Sequence, residues 1–295
     1  MRILAGNLKA KNMLANLDNE VYFKKVFTDV EVFTAFVKDV LGIEIHIDKV
    51  ETEKVLPGKI SAIKFKMDLF AEDKQSRTVV EIQKVDYDYT YDRFTHYFLG
   101  NLIDMQRASK TYAFAKEVYI IVVVTSAYRI SDKNGKPIKD DVLITDVNPR
   151  TLQGEIRDMY NHKMVILNTT HVDAQTPPEI GDWLDLIIQS MKNPEHPQIN
   201  ARKPAILRAA QLAEVDNLSP EQLAEAKEQE QRKEAVAVIE DITRKQTAIE
   251  TEKKVKDEGI KKSLNLGILT HEQIAATFDV NLEHVRAIAE TLKNR

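Results

Sequence analysis

The sequence predicts an α/β fold, a mixed-sheet core followed by an all-helical C-terminal extension, and three observations lead there. Two strand-like segments lie close together. In 60–70, Ile63, Phe65, Met67 and Leu69 alternate with Ala62, Lys64, Lys66 and Asp68, and 78–83 is the β-branched run Thr78-Val79-Val80-Glu81-Ile82-Gln83. After a helix-like segment at 87–109, residues 116–125 form the most continuously apolar stretch of the chain, as expected of a strand buried on both faces, which gives the order β-β-α-β. Beyond about residue 200 the composition shifts towards Ala, Glu, Lys and Gln, the strong helix formers.

Taken in order, 1–17 is mixed and partly extended. Asp18-Asn19-Glu20 is a helix start before Val21 to Phe27, where apolar and aromatic residues recur at helical spacing. A second helix at 30–41 carries the stripe Phe33, Phe36, Val37, Val40 and Leu41, and Gly42 closes it. Residues 43–57 read as a strand or an extended connection, 71–77 as a hairpin turn, 131–137 as an exposed loop and 164–168 as a further strand. A short apolar helix at 183–191 lies between proline clusters, and the core domain is expected to end near residue 200 (1–200).

The segment 201–266 reads as a charged linker or long helix started by Ser219-Pro220-Glu221, with Val236, Ile239, Ile242 and Ile249 as a thin apolar seam. The final segment, 267–295, reads as helix, turn, helix: a capping box from Thr270 to Gln273, a turn at 278–281 and a second helix from Leu282. Such a tail could read DNA, but Glu283 and Glu290 and the scarcity of base-reading side chains favour packing or a homodimer contact through the C-terminal helices.

The chemistry-bearing stretch is Asp68 to Gln83. Glu81 and Gln83 share one face of their strand. If the hairpin registers that face with Asp68, two carboxylates and an amide converge on a volume fit for one divalent cation, and oxygen donors of this kind suit Mg²⁺. By spacing alone, such a pair is more often a solvated face or a partner for lysines.

Asp68, then Glu81-Ile82-Gln83 on the next strand, then a helix carrying Arg93 and Tyr97 resembles the PD-(D/E)XK nuclease superfamily, and more narrowly its Rpn-like branch of recombination-promoting nucleases and transposase-associated proteins. The resemblance runs from about residue 19 to about 128 and more weakly beyond. It implies a restriction-endonuclease-like core and metal-dependent DNA cleavage. Asp68, Glu81 and the carbonyl of Ile82 would be ligands to Mg²⁺ (or Mn²⁺), and Glu20, at the start of a first helix that resembles the family's Asn19-Glu20…Phe23-Lys24…Phe27 pattern, would join them. Arg93 and Tyr97, one helical turn apart, would face the phosphate. Two positions depart from the superfamily pattern: Met67 stands where its name has proline, and Gln83 where it has lysine. An amide can orient a water but supplies no charge, so Arg93 is the expected compensating cation.

Composition limits the alternatives. The 295-residue chain has no cysteine, which excludes disulfides, thiolate metal sites and cysteine nucleophiles. A net charge of −4 gives no global basic footprint, so DNA as partner requires a local one. No bilayer-length apolar run and no signal peptide are evident, so a cytoplasmic protein with no membrane partner is expected. There is no glycine-rich phosphate loop, His-Glu-x-x-His helix or Gly-x-Ser-x-Gly elbow. The rival to the nuclease is a catalytically degenerate version of the same fold, acting as a nucleic-acid or protein binding module.

Overall fold

The computed structural model describes residues 13–56, 66–83, 90–106, 111–125 and 131–293; the side chains of 81–83, 90, 233, 236–237, 239–241, 244, 248–250 and 293 lie outside the description. The chain divides into two compact units, Met1–Lys227 and Glu228–Arg295.

The first unit is the α/β core. Its described strands are β1 (Glu51–Val55), β2 (Lys66–Glu72), β3 (Ser76–Gln83), β4 (Glu117–Val124), β5 (Val142–Asp146) and β6 (Lys163–Asn168). They form one six-stranded sheet in the order β1-β2-β3-β4-β6-β5. The β2–β3 hairpin is antiparallel, as the turn at Asp73 requires: its carboxylate accepts from the backbone of Gln75 and Ser76, both at 2.7 Å. The β3–β4 and β4–β6 pairs are parallel, so the sheet is mixed, with α3 (Thr90–Gln106) as the crossover between β3 and β4. The edge strand β5 was not expected from the sequence.

Helices cover both faces. Leu69, Ala71, Val80, Tyr119, Ile121, Val123, Val165 and Leu167 form one face, packed against α1 (Glu20–Phe27), α2 (Val30–Leu41), α4 (Pro178–Lys192) and α5 (Pro204–Ala213). On the other, Val79, Val118, Ile120, Val122, Val124, Met164 and Ile166 pack against Phe94, Tyr97, Phe98 and Leu102 of α3. β4, buried from Val118 to Val124, joins the two layers, as its unbroken apolar run predicts.

The expected caps are present. Asn19 accepts from the backbone N–H of Val21 at 3.0 Å, and Gly42 closes α2 with a left-handed φ of 71°. Asp29 caps α2 and is also gripped by Arg208 of α5, at 2.9 and 2.6 Å, which holds its carboxyl below the usual range. The boundary expected near residue 200 falls inside this packing, because Ile206, Ala209 and Ala213 of α5 are fully buried in the first core.

His162, just before β6, is a buried histidine whose Nδ1 accepts the backbone N–H of Val118 at 2.9 Å. Protonating Nδ1 would set two N–H groups against each other, and burial, opposed by the charge of Glu117, pushes the imidazole pKa down. A histidine with a lowered folded-state pKa contributes stability that is fully present above about pH 6.5 and is lost as pH falls towards the folded value. Urea midpoints measured between pH 7.5 and 5.5 are therefore expected to fall on the acid side, with a shallower slope in His162→Asn.

In the second unit, the C-terminal part of α6 (Pro220–Leu266) packs with α7 (His271–Phe278) and α8 (Leu282–Lys293) around Ile260, Ile274, Val285 and Ile288. The capping box at Thr270 and Gln273 forms as expected, and Asp279 makes the turn with a φ of 49°. Gly259 is required by close approach: a Cβ there would lie 2.4 Å from the Phe278 ring. Gly259→Ala is expected to destabilise this unit by about 1–3 kcal/mol, measured by thermal melting. Of the apolar seam expected on α6, Ile242 is half exposed, and Val236, Ile239 and Ile249 lie outside the described side chains. No helix among the described residues is long and apolar enough to cross a membrane.

Candidate functional site

The site is built where α1 meets the β1–β2 edge of the sheet. Phe23, Val26 and Phe27 anchor α1 in the first core, which leaves Glu20 and Lys24, one turn apart, on a common face. Lys24 is largely buried, its side chain 13% exposed, and its Nζ gathers three carboxylates. It donates a short hydrogen bond to Glu20, lies 2.8 Å from Glu53 of β1 and lies 3.6 Å from Asp68 of β2. Burial by itself would lower the lysine pKa, but the hydrogen bonds to Glu20 and Glu53 and the charge of Asp68 outweigh it and hold the ammonium above the usual range. Glu53 also binds Lys66 at 2.6 Å, and its carboxyl is held low by Lys24 first and Lys66 second.

Asp68 does not follow the simple alternation read from the sequence. Met67 and Leu69 were expected on one face, yet Met67 packs in the α3-side cluster and Leu69 in the opposite one. The reversal lies beside an irregularity in β1. Pairs Thr52–Leu69 and Lys54–Met67 flank the position where Glu53 faces Asp68, and Glu53 has a left-handed φ of 56°. For a residue with a Cβ this backbone costs about 1 kcal/mol or more, and it persists only where surrounding contacts hold it. Here those contacts are the ion pairs of Glu53 with Lys24 and Lys66.

The remaining expected ligands stand on β3. One step beyond the Leu69–Val80 pair, Asp68 and Glu81 are the next positions along the two backbones, and Glu81 is paired with Val122 of β4. The side chains of Glu81, Ile82 and Gln83 lie outside the described residues.

Arg93 and Tyr97 meet each other as their spacing predicts. The guanidinium donates to the Tyr97 hydroxyl from Nε at 3.3 Å and Nη2 at 3.2 Å, and lies over its ring at 5.4 Å. Tyr97 is 6% exposed and belongs to the α3-side cluster, whereas Glu20 and Lys24 approach from α1 on the other layer. Thus the structure brings Glu20 to Asp68, through Lys24, and places the Arg93–Tyr97 pair on the opposite helical layer.

Among the described residues, no three His, Asp or Glu side chains take up an arrangement that would hold a metal ion. Glu20, Glu53 and Asp68 supply the hard oxygen donors that suit Mg²⁺, but an ammonium is what gathers them. Sequence reasoning assigned Lys24 and Glu53 no role. Lys24 was legible only as a member of the first-helix pattern Asn19-Glu20…Phe23-Lys24…Phe27, without a chemical role, and nothing in the local sequence of Glu53 signals its backbone or its partners. No protein-family model, curated protein or solved structure matches the chain.

Proposed function

We propose that the chain is a metal-dependent DNA endonuclease of the PD-(D/E)XK type, of the recombination- and transposase-associated kind, acting in the cytoplasm. The observation that carries this reading is the convergence of Glu20 and Asp68, from a helix and a strand far apart in sequence, on one cation position at the edge of an α/β sheet. It matches the order Asp68, Glu81-Ile82-Gln83, Arg93 and Tyr97 in the sequence.

In the reaction a water oxygen bonds to phosphorus as one P–O ester bond breaks, and a proton from that water ends on the leaving oxygen by way of solvent. Bound Mg²⁺ would supply charge against the non-bridging oxygen and lower the pKa of the attacking water. Asp68, Glu81, the Ile82 carbonyl and Glu20 would hold the ion, and Gln83 would orient the water through its amide. Arg93, braced by Tyr97, would neutralise phosphate charge on the α3 side.

The binding-module reading has its own support. Lys24 already satisfies Glu20 and Asp68, so the carboxylates have a structural use without any metal. Plasmid nicking by purified protein with Mg²⁺ or Mn²⁺, beside EDTA, Asp68→Ala and Glu81→Ala, separates the two. Metal-dependent nicking lost in both variants is expected; DNA bound but uncut by every sample would favour the binding module.

A further inference from the structure

We propose that the cavity at the hairpin-turn end of the sheet is a nucleotide-binding site, which takes a planar base against Phe114 and Tyr160 and its phosphate beside Lys74. The cavity measures about 530 Å³, within the range of small-molecule sites. It lies between the β2–β3 turn and the segments that lead into β4 and β6. Ser76 pairs with Glu117 at this end, whereas Glu81 stands five residues further along β3, about 17 Å away at the rise of a strand. The cavity is therefore separate from the carboxylates of the nuclease reading and does not depend on that reading.

Its walls are aromatic and held in place. Phe114 lies edge-on to Tyr160 at 5.9 Å and to His162 at 4.7 Å, and the Tyr160 and His162 rings are near-parallel at 5.7 Å. Asn148 fixes the Tyr160 segment. Its Oδ1 accepts from the backbone N–H of Met159 and Tyr160, both at 2.8 Å, and its Nδ2 donates to the Tyr160 carbonyl at 3.0 Å. On the other wall, Gln106 Nε2 donates to the Ala113 carbonyl at 3.1 Å. Even so, the rings are not covered: Phe114 is 38% and Tyr160 40% exposed, and Tyr112 beside them is fully exposed. Rings already fixed with open surface lose little freedom when a base stacks on them.

The polar groups select the ligand. His162 lines the cavity although it is only 2% exposed, and its Nδ1 accepts from Val118, so the neutral ring carries its hydrogen on Nε2. Among the described residues, nothing accepts that hydrogen. A buried donor without a partner costs free energy that a ligand acceptor recovers, and base carbonyls and ring nitrogens are such acceptors. Charge points the same way. Lys116 is held by Glu72 at 2.9 Å and by the Asp73 carbonyl, and the Glu117 carboxylate is occupied by the Asn161 amide and the Tyr119 hydroxyl. Lys74 is exposed on the turn, with no carboxylate paired to it among the described residues, and is the cation left to meet a phosphate. A flat, acceptor-bearing ring with an anionic group is the chemistry of a nucleotide, either free or as an unpaired unit of a single strand.

The test measures binding to the full chain in EDTA, which stops metal-dependent cleavage. The probes are a mixed-sequence, fluorescein-labelled single-stranded oligodeoxynucleotide, read by anisotropy, and the four deoxynucleoside monophosphates, read by calorimetry. Tyr160→Leu keeps an apolar side chain and removes the ring, and is expected to weaken binding about 5- to 150-fold, the equivalent of losing the stacking of one base. Lys74→Met is expected to weaken oligonucleotide binding and to lower its logarithmic salt slope by about 0.7, the loss of one phosphate contact. Because Lys74 is exposed, this variant keeps the test open should Tyr160→Leu fail to fold by circular dichroism. A monophosphate bound as tightly as the oligonucleotide assigns the site to a free nucleotide; an oligonucleotide bound tenfold or more tightly assigns it to a unit of a strand.

Binding of neither probe, wild-type affinity in a folded Tyr160→Leu protein, or an unchanged salt slope in Lys74→Met overturns the proposal and leaves the rings as packing for the segment before β6. Asp68→Ala is expected to bind both probes like wild type. If Asp68→Ala loses plasmid nicking while Tyr160→Leu binds normally, the nuclease reading stands and this site falls; if Tyr160→Leu loses binding while no sample nicks DNA, this site stands and the nuclease reading falls.

Discussion

On the proposed nuclease reading, Asp68→Asn is expected to cut plasmid DNA roughly 10³-fold more slowly than wild type at saturating Mg²⁺, the rate equivalent of losing several kcal/mol of transition-state charge stabilisation. The substitution keeps the shape of the side chain and removes one charge, so a loss of this size would reflect chemistry at the site. Stability is expected to change little. Lys24 retains Glu20 and Glu53 when Asp68 is neutral, so the largely buried ammonium is not left without a carboxylate. The kinetics should also respond to metal. If the variant loses affinity for the ion as well as rate, raising Mg²⁺ recovers part of the activity; a rate that is unchanged at every Mg²⁺ concentration would remove Asp68 from the mechanism. A melting temperature lowered by ten degrees or more, as from a loss of about 2.5–5 kcal/mol, would instead show that the carboxylate is mainly a structural anchor for α1.

What the sequence made legible was local. The caps at Asn19, Gly42 and Thr270 depend on residues within one turn of each helix end, and each formed where expected. The apolar run of β4 needs no partner to be recognised, because a strand covered on both faces has no polar side. β5 escaped for the opposite reason: Val142-Leu143-Ile144-Thr145-Asp146 is short, at the sheet edge and only partly buried, with Ile144 65% exposed, so its pairing with β6 gives no clear alternation. α5 was concealed by composition. Its alanines resemble linker helix, but their small side chains let it pack closely in the first core, and that is decided by tertiary contact.

The candidate site divides the same way. The order of Asp68, Glu81 and Gln83 and the one-turn spacing of Arg93 and Tyr97 can be read directly. The Lys24 cluster joins positions 20, 24, 53 and 68, with a left-handed Glu53 at its centre, and only the folded chain shows it. The reversal between Met67 and Leu69 belongs to the same class, since two-residue periodicity assumes a regular partner strand and β1 is irregular at that level.

Trp183→Ala is expected to lower the stability of the first unit by about 3–5 kcal/mol, the range for truncating a large buried aromatic. Trp183 is fully buried on α4 and fills the space between α1 and α2, with ring centroids 5.8 Å from Phe27 and 5.3 Å from Phe36. Rings packed this way on helices of fixed spacing cannot collapse into the gap, so the cavity term adds to the lost transfer energy. The indole also donates from Nε1 to Asp39 at 2.6 Å. Asp39 keeps Lys203 at 2.7 Å when the indole is gone, so the carboxylate is not left without a partner. Trp183→Phe therefore separates the contributions: it keeps most of the ring packing, loses the hydrogen bond and part of the volume, and is expected to cost about 1–2 kcal/mol. Circular dichroism in urea measures both variants, since Trp183 is the single tryptophan and its fluorescence is lost with it. The effect matters for the site because Phe27 is the last residue of α1, the helix that carries Glu20 and Lys24. On the proposed metal-dependent reading, loosening its seat is expected to weaken Mn²⁺ binding before global unfolding. A Trp183→Ala protein within 1 kcal/mol of wild type would mean that the α1–α2–α4 packing repacks freely and does not fix the position of Lys24.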